Sequence, residues 1–120
     1  MIVQTKKRWE LSQYQKAEYI EKLTSKLAAL RIQANISQED IANIIGKSRQ
    51  TYHAIESKKA AMPWNTYLSL IFFFDAIEDT SQMIRELDIY PTQLIEQFNN
   101  VANLGSEKST KLDDTKNKLV

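Results

Sequence analysis

Apolar residues recur along this chain at the spacing of helix faces. Tyr19, Leu23, Leu27 and Leu30 stand four, four and three apart and form one stripe. Ser12-Gln13-Tyr14-Gln15 ahead of them reads as a capping box. A helix is therefore predicted from there to about Ala34, with a break near Thr24-Ser25 as the alternative. Ile41, Ala42, Ile44 and Ile45 predict a second helix with one apolar face. Ser37 is placed to cap it, and Asp40 to reach back as a variant of the capping box. Gly46 ends it, because glycine enters the left-handed backbone conformation at low cost. Ser48 can cap a third helix, in which Tyr52 and Ile55 face inward and Arg49, Gln50, His53 and Ala54 outward. Two short capped helices joined at a glycine have the form of a helix-turn-helix.

Beyond this motif, Ser57 to Met62 reads as a basic loop and Pro63 suits the first turn of a helix. Trp64 to Phe74 is rich in aromatic residues and, on its own, is ambiguous between helix and strand. As a helix it sets Leu68, Ile71, Phe72 and Asp75 on one side. Phe73 or Phe74 is then left for a second surface, either the C-terminal segment or a partner subunit. Glu78-Asp79-Thr80-Ser81 looks like a further helix start, with acids at the positive end of the dipole and Met83, Ile84 and Leu87 as its apolar face. After Tyr90-Pro91, a last helix runs from Thr92 to about Leu104 with Leu94, Ile95, Phe98 and Val101 inward. The expected organisation is an arm and helix start at 1–22, a helix-turn-helix domain at 23–75, a C-terminal helical extension at 76–104 for packing or dimerisation, and a disordered tail at 105–120.

Composition narrows the class. The 120 residues include two glycines, two prolines and 42% apolar residues, which favour a compact all-α helical bundle. With no cysteine there is no disulfide framework and no thiolate metal site, and one histidine alone cannot build a zinc site of the usual ligand count. No glycine-rich phosphate loop is present, and one histidine on an outward face supports no nucleophile–histidine–acid set. No enzymatic function and no cofactor are expected. The start Met1-Ile2-Val3-Gln4 lacks an apolar stretch of signal-peptide length, and the longest apolar run, Leu70 to Phe74, is too short to span a membrane. A cytoplasmic protein is expected.

The formal net charge of +1 conceals a polarity. Residues 24–60 carry +3 and residues 61–104 carry −5. Basic charge thus collects on and before the motif, which is either the polarity a DNA-facing surface requires or an uneven surface without functional meaning. Lys6-Lys7-Arg8-Trp9 is either a basic arm that reaches along DNA or a solvated terminus with Trp9 folded onto the domain.

The segment from about Leu23 to Asp75 resembles the phage-repressor and Cro-like helix-turn-helix family, also called the XRE family, of lambda-repressor-like fold. Leu27…Leu30-Arg31 looks like the end of that family's first helix. Asn35-Ile36-Ser37-Gln38-Glu39 matches its Gly-Leu-Ser-Gln-Glu, with asparagine in the glycine position. Ser48-Arg49-Gln50-Thr51 is a frequent opening of its recognition helix, Ile55-Glu56 closes that helix, and Pro63 precedes the fourth. Tyr52 replaces a branched aliphatic residue, Ser57-Lys58-Lys59 replaces Asn-Gly-Lys, and Lys47 replaces a common apolar turn residue.

The resemblance implies a recognition helix from Arg49 to about Ser57 in the major groove. Arg49, Gln50, Thr51, His53 and Ala54 are then the candidate base contacts. Arginine suits guanine O6 and N7, glutamine suits adenine N6 and N7, and threonine and alanine suit a thymine methyl. Gln38, Ser48, Lys58, Lys59, Trp64 and Asn65 are the candidate phosphate contacts, which orient the protein without reading sequence. Gln38 matches a family position that braces the residue leading the recognition helix, here Arg49. A homodimer on a palindromic operator in double-stranded DNA is the implied assembly, with a possible protein partner on the C-terminal helices and no membrane partner. Two other readings stand beside a transcriptional repressor: the antitoxin of a toxin–antitoxin pair, and a helix-turn-helix used for protein interaction alone.

Overall fold

The structure is a computed structural model that describes residues 9–104. The basic residues at 6–8 and the tail at 105–120 lie outside the described residues. The described chain forms α1 (Gln13–Gln33), α2 (Gln38–Ile45), α3 (Arg49–Glu56), α4 (Trp64–Ala76), α5 (Glu78–Glu86) and α6 (Thr92–Leu104), with no strand among the described residues. The fold is all-α, as the apolar spacing predicts. It divides into two units, one running from Ser12 to Tyr90 with α1–α5 and one that contains Trp9–Leu11 and α6. In the second unit the Trp9 ring packs on Phe98 at 6.2 Å between centroids.

Serine caps set the helix starts. The Ser12 hydroxyl accepts from the Gln15 amide at 3.0 Å, and the Gln15 side chain accepts in return from the Ser12 amide at 3.2 Å. Ser37 and Ser48 cap α2 and α3 in the same way, through the amides of Asp40 and Thr51. Asp40 does not return the bond expected of it. Its side chain is one methylene shorter than the glutamate or glutamine that closes such a box. α1 is unbroken at Thr24-Ser25, because both hydroxyls turn back onto helix carbonyls, Thr24 onto Ile20 at 2.7 Å and Ser25 onto Lys22 at 2.9 Å.

Four helices end in one kind of closure. Asn35, Gly46, Lys58 and Asp88 hold left-handed backbone at φ 57°, 77°, 68° and 58°. The amide after each reaches five residues back to the helix: Ile36 to Arg31, Lys47 to Ala42, Lys59 to Ala54 and Ile89 to Ile84, at 2.7–3.3 Å. Asparagine and glycine enter this region readily, whereas lysine does so against a Cβ clash. The loop therefore keeps the turn that a glycine would make, with a lysine under strain. Lys58→Gly should stabilise the domain by about 0.5–1 kcal/mol, the relief of strain exceeding glycine's larger entropy loss. A rise in the urea midpoint at unchanged slope checks it.

The core of the first unit joins Leu23, Leu27 and Leu30 of α1 to Ile41 and Ala42 of α2, Tyr52 and Ile55 of α3, Tyr67, Leu70 and Phe74 of α4, and Ile84 of α5. α1 packs on α3, α4 and α5, while α2 packs on α3 and α4. Three predicted faces need correction. On α2, Ile44 points outward and is 57% exposed, and Ile45 is half-buried. On α4, the inward stripe is Tyr67, Leu70, Ile71 and Phe74, at helical spacing. The ring left outside is Phe72, at 78% exposure, with Leu68 beside it at 42%, while Phe73 is half-buried. A helix can bury only one stripe, and the tyrosine at 67 fixes its phase. On α5, Leu87 is likewise exposed. There Thr80 is buried instead, donating to the Phe74 carbonyl at 2.7 Å across the sharp α4–α5 turn.

Candidate nucleic-acid interface

α3 is held by its inner face and by one carboxylate. Tyr52 and Ile55 are buried beneath it. At its end, Glu56 accepts four hydrogen bonds from three helices. Arg31 of α1 gives two, Nε to Oε1 at 2.9 Å and Nη2 to Oε2 at 3.2 Å. Tyr52 Oη donates to Oε1 at 2.6 Å, and Gln38 Nε2 of α2 donates to Oε2 at 3.1 Å. Arg31 also donates from Nη1 to the Ile36 carbonyl at 3.0 Å, which ties in the α1–α2 turn. The side chains of Arg31 and Glu56 are 18% and 8% exposed. Burial alone would raise the Glu56 pKa, but the bonds from Arg31, Tyr52 and Gln38 outweigh it and hold the carboxyl below its ordinary value. Burial, reinforced by the bond to Glu56, pushes the Tyr52 phenol well above its ordinary range.

This cluster is the part of the site that sequence reasoning missed. Arg31 and Glu56 carry the family resemblance as separate residues, yet nothing local pairs positions that far apart. Tyr52 fills the place of an aliphatic residue with a ring, as expected, and its hydroxyl adds a bond that an aliphatic residue cannot make. Gln38 also departs from expectation. It reaches Glu56 on one side and His53 on the other, where His53 Nδ1 lies 3.2 Å from Gln38 Oε1. It does not brace Arg49.

On the outer face, Arg49, Gln50, Thr51 and His53 are exposed and Ala54 is half-buried. Among the described residues Arg49, Lys58 and Lys59 form no ion pair, while Arg31 and Arg85 are each bound to a carboxylate. Thr51 has its hydroxyl oxygen engaged by Ser48 at 2.9 Å. Ser48 uses its own oxygen to cap α3. Lys58 and Lys59 stand exposed in the loop after α3, and Asn65 is exposed in the first turn of α4. Trp64 is half-buried, its ring stacked on Tyr67 at 4.8 Å with Lys16 Nζ 5.9 Å from its centroid. One small cavity is lined by Gly46, Lys47, Asn65, Thr66 and Ser69. It brings Lys47, which the sequence offered only as a substituted turn residue, beside Asn65 at the bend between α2 and α3.

The geometry is that of a short polar helix, presented outward with one unpaired arginine and two unpaired lysines at its two ends. No group of histidine, cysteine or carboxylate residues suited to a metal ion occurs among the described residues. No described helix is long and apolar enough to cross a membrane. The family model for a helix-turn-helix domain matches residues 24–105, more than half of the chain. No curated protein and no solved structure matches it.

Proposed function

The chain belongs to the helix-turn-helix domain family, and from that premise we propose that it is a sequence-specific regulator of transcription, a repressor that lays α3 in the major groove of double-stranded DNA. The observation that supports this reading most is the outer face of α3. Arg49, Gln50 and His53 are exposed there while every large apolar side chain of the helix is turned toward the core. Arg49, Gln50, Thr51, His53 and Ala54 are the proposed base contacts. Gln38, Ser48, Lys58, Lys59, Trp64 and Asn65 are proposed to meet phosphates, joined by Lys47. Phosphate contacts release counterions, so Lys59→Ala should weaken binding to all sequences alike and flatten the slope of log K against log salt by about one unit. Titrations of one duplex at several salt concentrations measure that slope.

One module of this size is small for operator affinity, and a twofold dimer on a palindrome doubles the contact. A second copy is proposed to cover Ile44, Leu68 and Phe72, which line or flank an uncharged groove with Ile45, Ser69, Phe73 and Ala76. A projecting ring beside an apolar groove is the self-complementary form that a twofold interface needs. Residues 76–104 are proposed to support that interface. Phe72→Asp should leave the fold intact, since the ring is 78% exposed. It should also convert a dimer to a monomer in sedimentation; an unchanged mass would remove Phe72 from the interface.

Selection from a randomised duplex pool, at roughly physiological ionic strength, tests the function. A palindromic site is the expected product. Recovery of no site would transfer the reading to an antitoxin or to a purely protein-binding module.

A further inference from the structure

We propose that Gln38 and Glu56 together fix the tautomer of His53, so that its ring offers a hydrogen-bond acceptor to the groove and selects a base carrying an exocyclic amino group. The proposal rests on the DNA-binding reading for its target, though not for the state of the ring.

The Glu56 carboxylate already takes the Arg31 guanidinium and the Tyr52 hydroxyl, so it is an acceptor with nothing to donate. Gln38 lies 3.1 Å from Oε2 and can satisfy that contact only with its NH₂ group, because the opposite orientation would set two acceptor oxygens against each other. The amide is thereby oriented, and its oxygen faces His53. A carbonyl oxygen 3.2 Å from Nδ1 requires a proton on Nδ1. In a neutral imidazole the other nitrogen then carries a lone pair. His53 is exposed on α3, so Nε2 is the atom left to meet DNA. In the major groove, an acceptor there pairs with adenine N6–H₂ or cytosine N4–H₂ and is repelled by guanine O6 and N7 and by thymine O4. A mostly buried ion pair behind α3 thus sets the polarity of a side chain in front of it.

Because His53 is the only histidine, long-range ¹⁵N–¹H spectra of the uniformly labelled full chain read its tautomer directly. The spectra are recorded in alkaline buffer, where imidazole is neutral. The hydrogen should sit on Nδ1 in the native chain and shift toward Nε2 in Gln38→Ala. A native ring protonated on Nε2 overturns the relay.

The second measurement uses duplexes selected from the randomised pool. The position whose preference relaxes in His53→Ala is the one His53 reads. There the native chain should prefer adenine or cytosine over guanine or thymine on one strand by roughly tenfold to a hundredfold. Gln38→Ala should lose that preference. A ratio between bases does not respond to a weaker hold on phosphate, so any phosphate role of Gln38 leaves this readout unchanged. A native preference for guanine or thymine at that position overturns the proposal. Selection of no sequence by a chain with Nδ1 protonated would overturn the DNA-binding reading, and with it the target assigned to the ring. Protonation on Nε2 with ordinary sequence selection would overturn the relay alone.

Discussion

Replacing Glu56 with alanine should cost the domain about 3 kcal/mol. The substitution strands Arg31, whose side chain is 18% exposed, and leaves the Tyr52 hydroxyl and the Gln38 amide without their shared acceptor. Removing one member of a mostly buried pair is costly because the other keeps its desolvation penalty. Urea unfolding of Glu56→Ala, Arg31→Ala and the double variant measures both the cost and the coupling. The double variant should be much less unstable than the sum of the singles. Additive losses would mean that the pair contributes no interaction of its own.

The same carboxylate gives the fold a pH dependence whose sign can be worked out. Its folded pKa lies below the unfolded value. Its stabilisation is therefore complete above the unfolded glutamate value, about 4.3, and is lost as pH falls through the folded one. Acid unfolding of the native chain should show this loss, and Glu56→Gln should flatten that part of the curve.

Arg49→Ala should cost about 1–3 kcal/mol on the selected operator and relax sequence choice at one position of each half-site. Arg49 opens α3, its backbone is set by the Ser48 cap, and its guanidinium is unpaired and exposed. A bidentate pair of bonds to guanine would therefore form without breaking an internal one. The substitution leaves the core untouched, so the unfolding midpoint should move little. Quantitative binding to the selected duplex and to single-base variants separates a reader from a positioner. A uniform loss on all sequences would make Arg49 a phosphate contact.

How much of the fold and the site was legible in the sequence follows the range of each interaction. The caps at Ser12, Ser37 and Ser48 and the closures at Asn35 and Gly46 involve residues within five positions of one another. Residue type nearly decides them. The inward pair Tyr52 and Ile55 was legible for the same reason. The phase of α4 was not, since Leu68 to Phe74 offers more apolar residues than one stripe can use. Only the packing of Tyr67, Leu70 and Phe74 against α1 and α5 selects among them. The Glu56 cluster was hidden because its partners come from three helices and meet only after folding. The left-handed lysine at 58 was hidden because composition argues against it, and the surrounding bonds from Lys58 and Lys59 to the end of α3 impose it.

α2 and α3 are eight residues each. Helices of that length hardly form in isolation. Their order is borrowed from α1 through Arg31 and from α4 through the shared core, so a peptide cut to residues 37–58 would be largely coil. The surface proposed to read DNA is consequently not portable. Transplanting Arg49, Gln50 and His53 to another scaffold should carry over the base preference proposed for them only if Arg31, Gln38, Tyr52 and Glu56 travel with them.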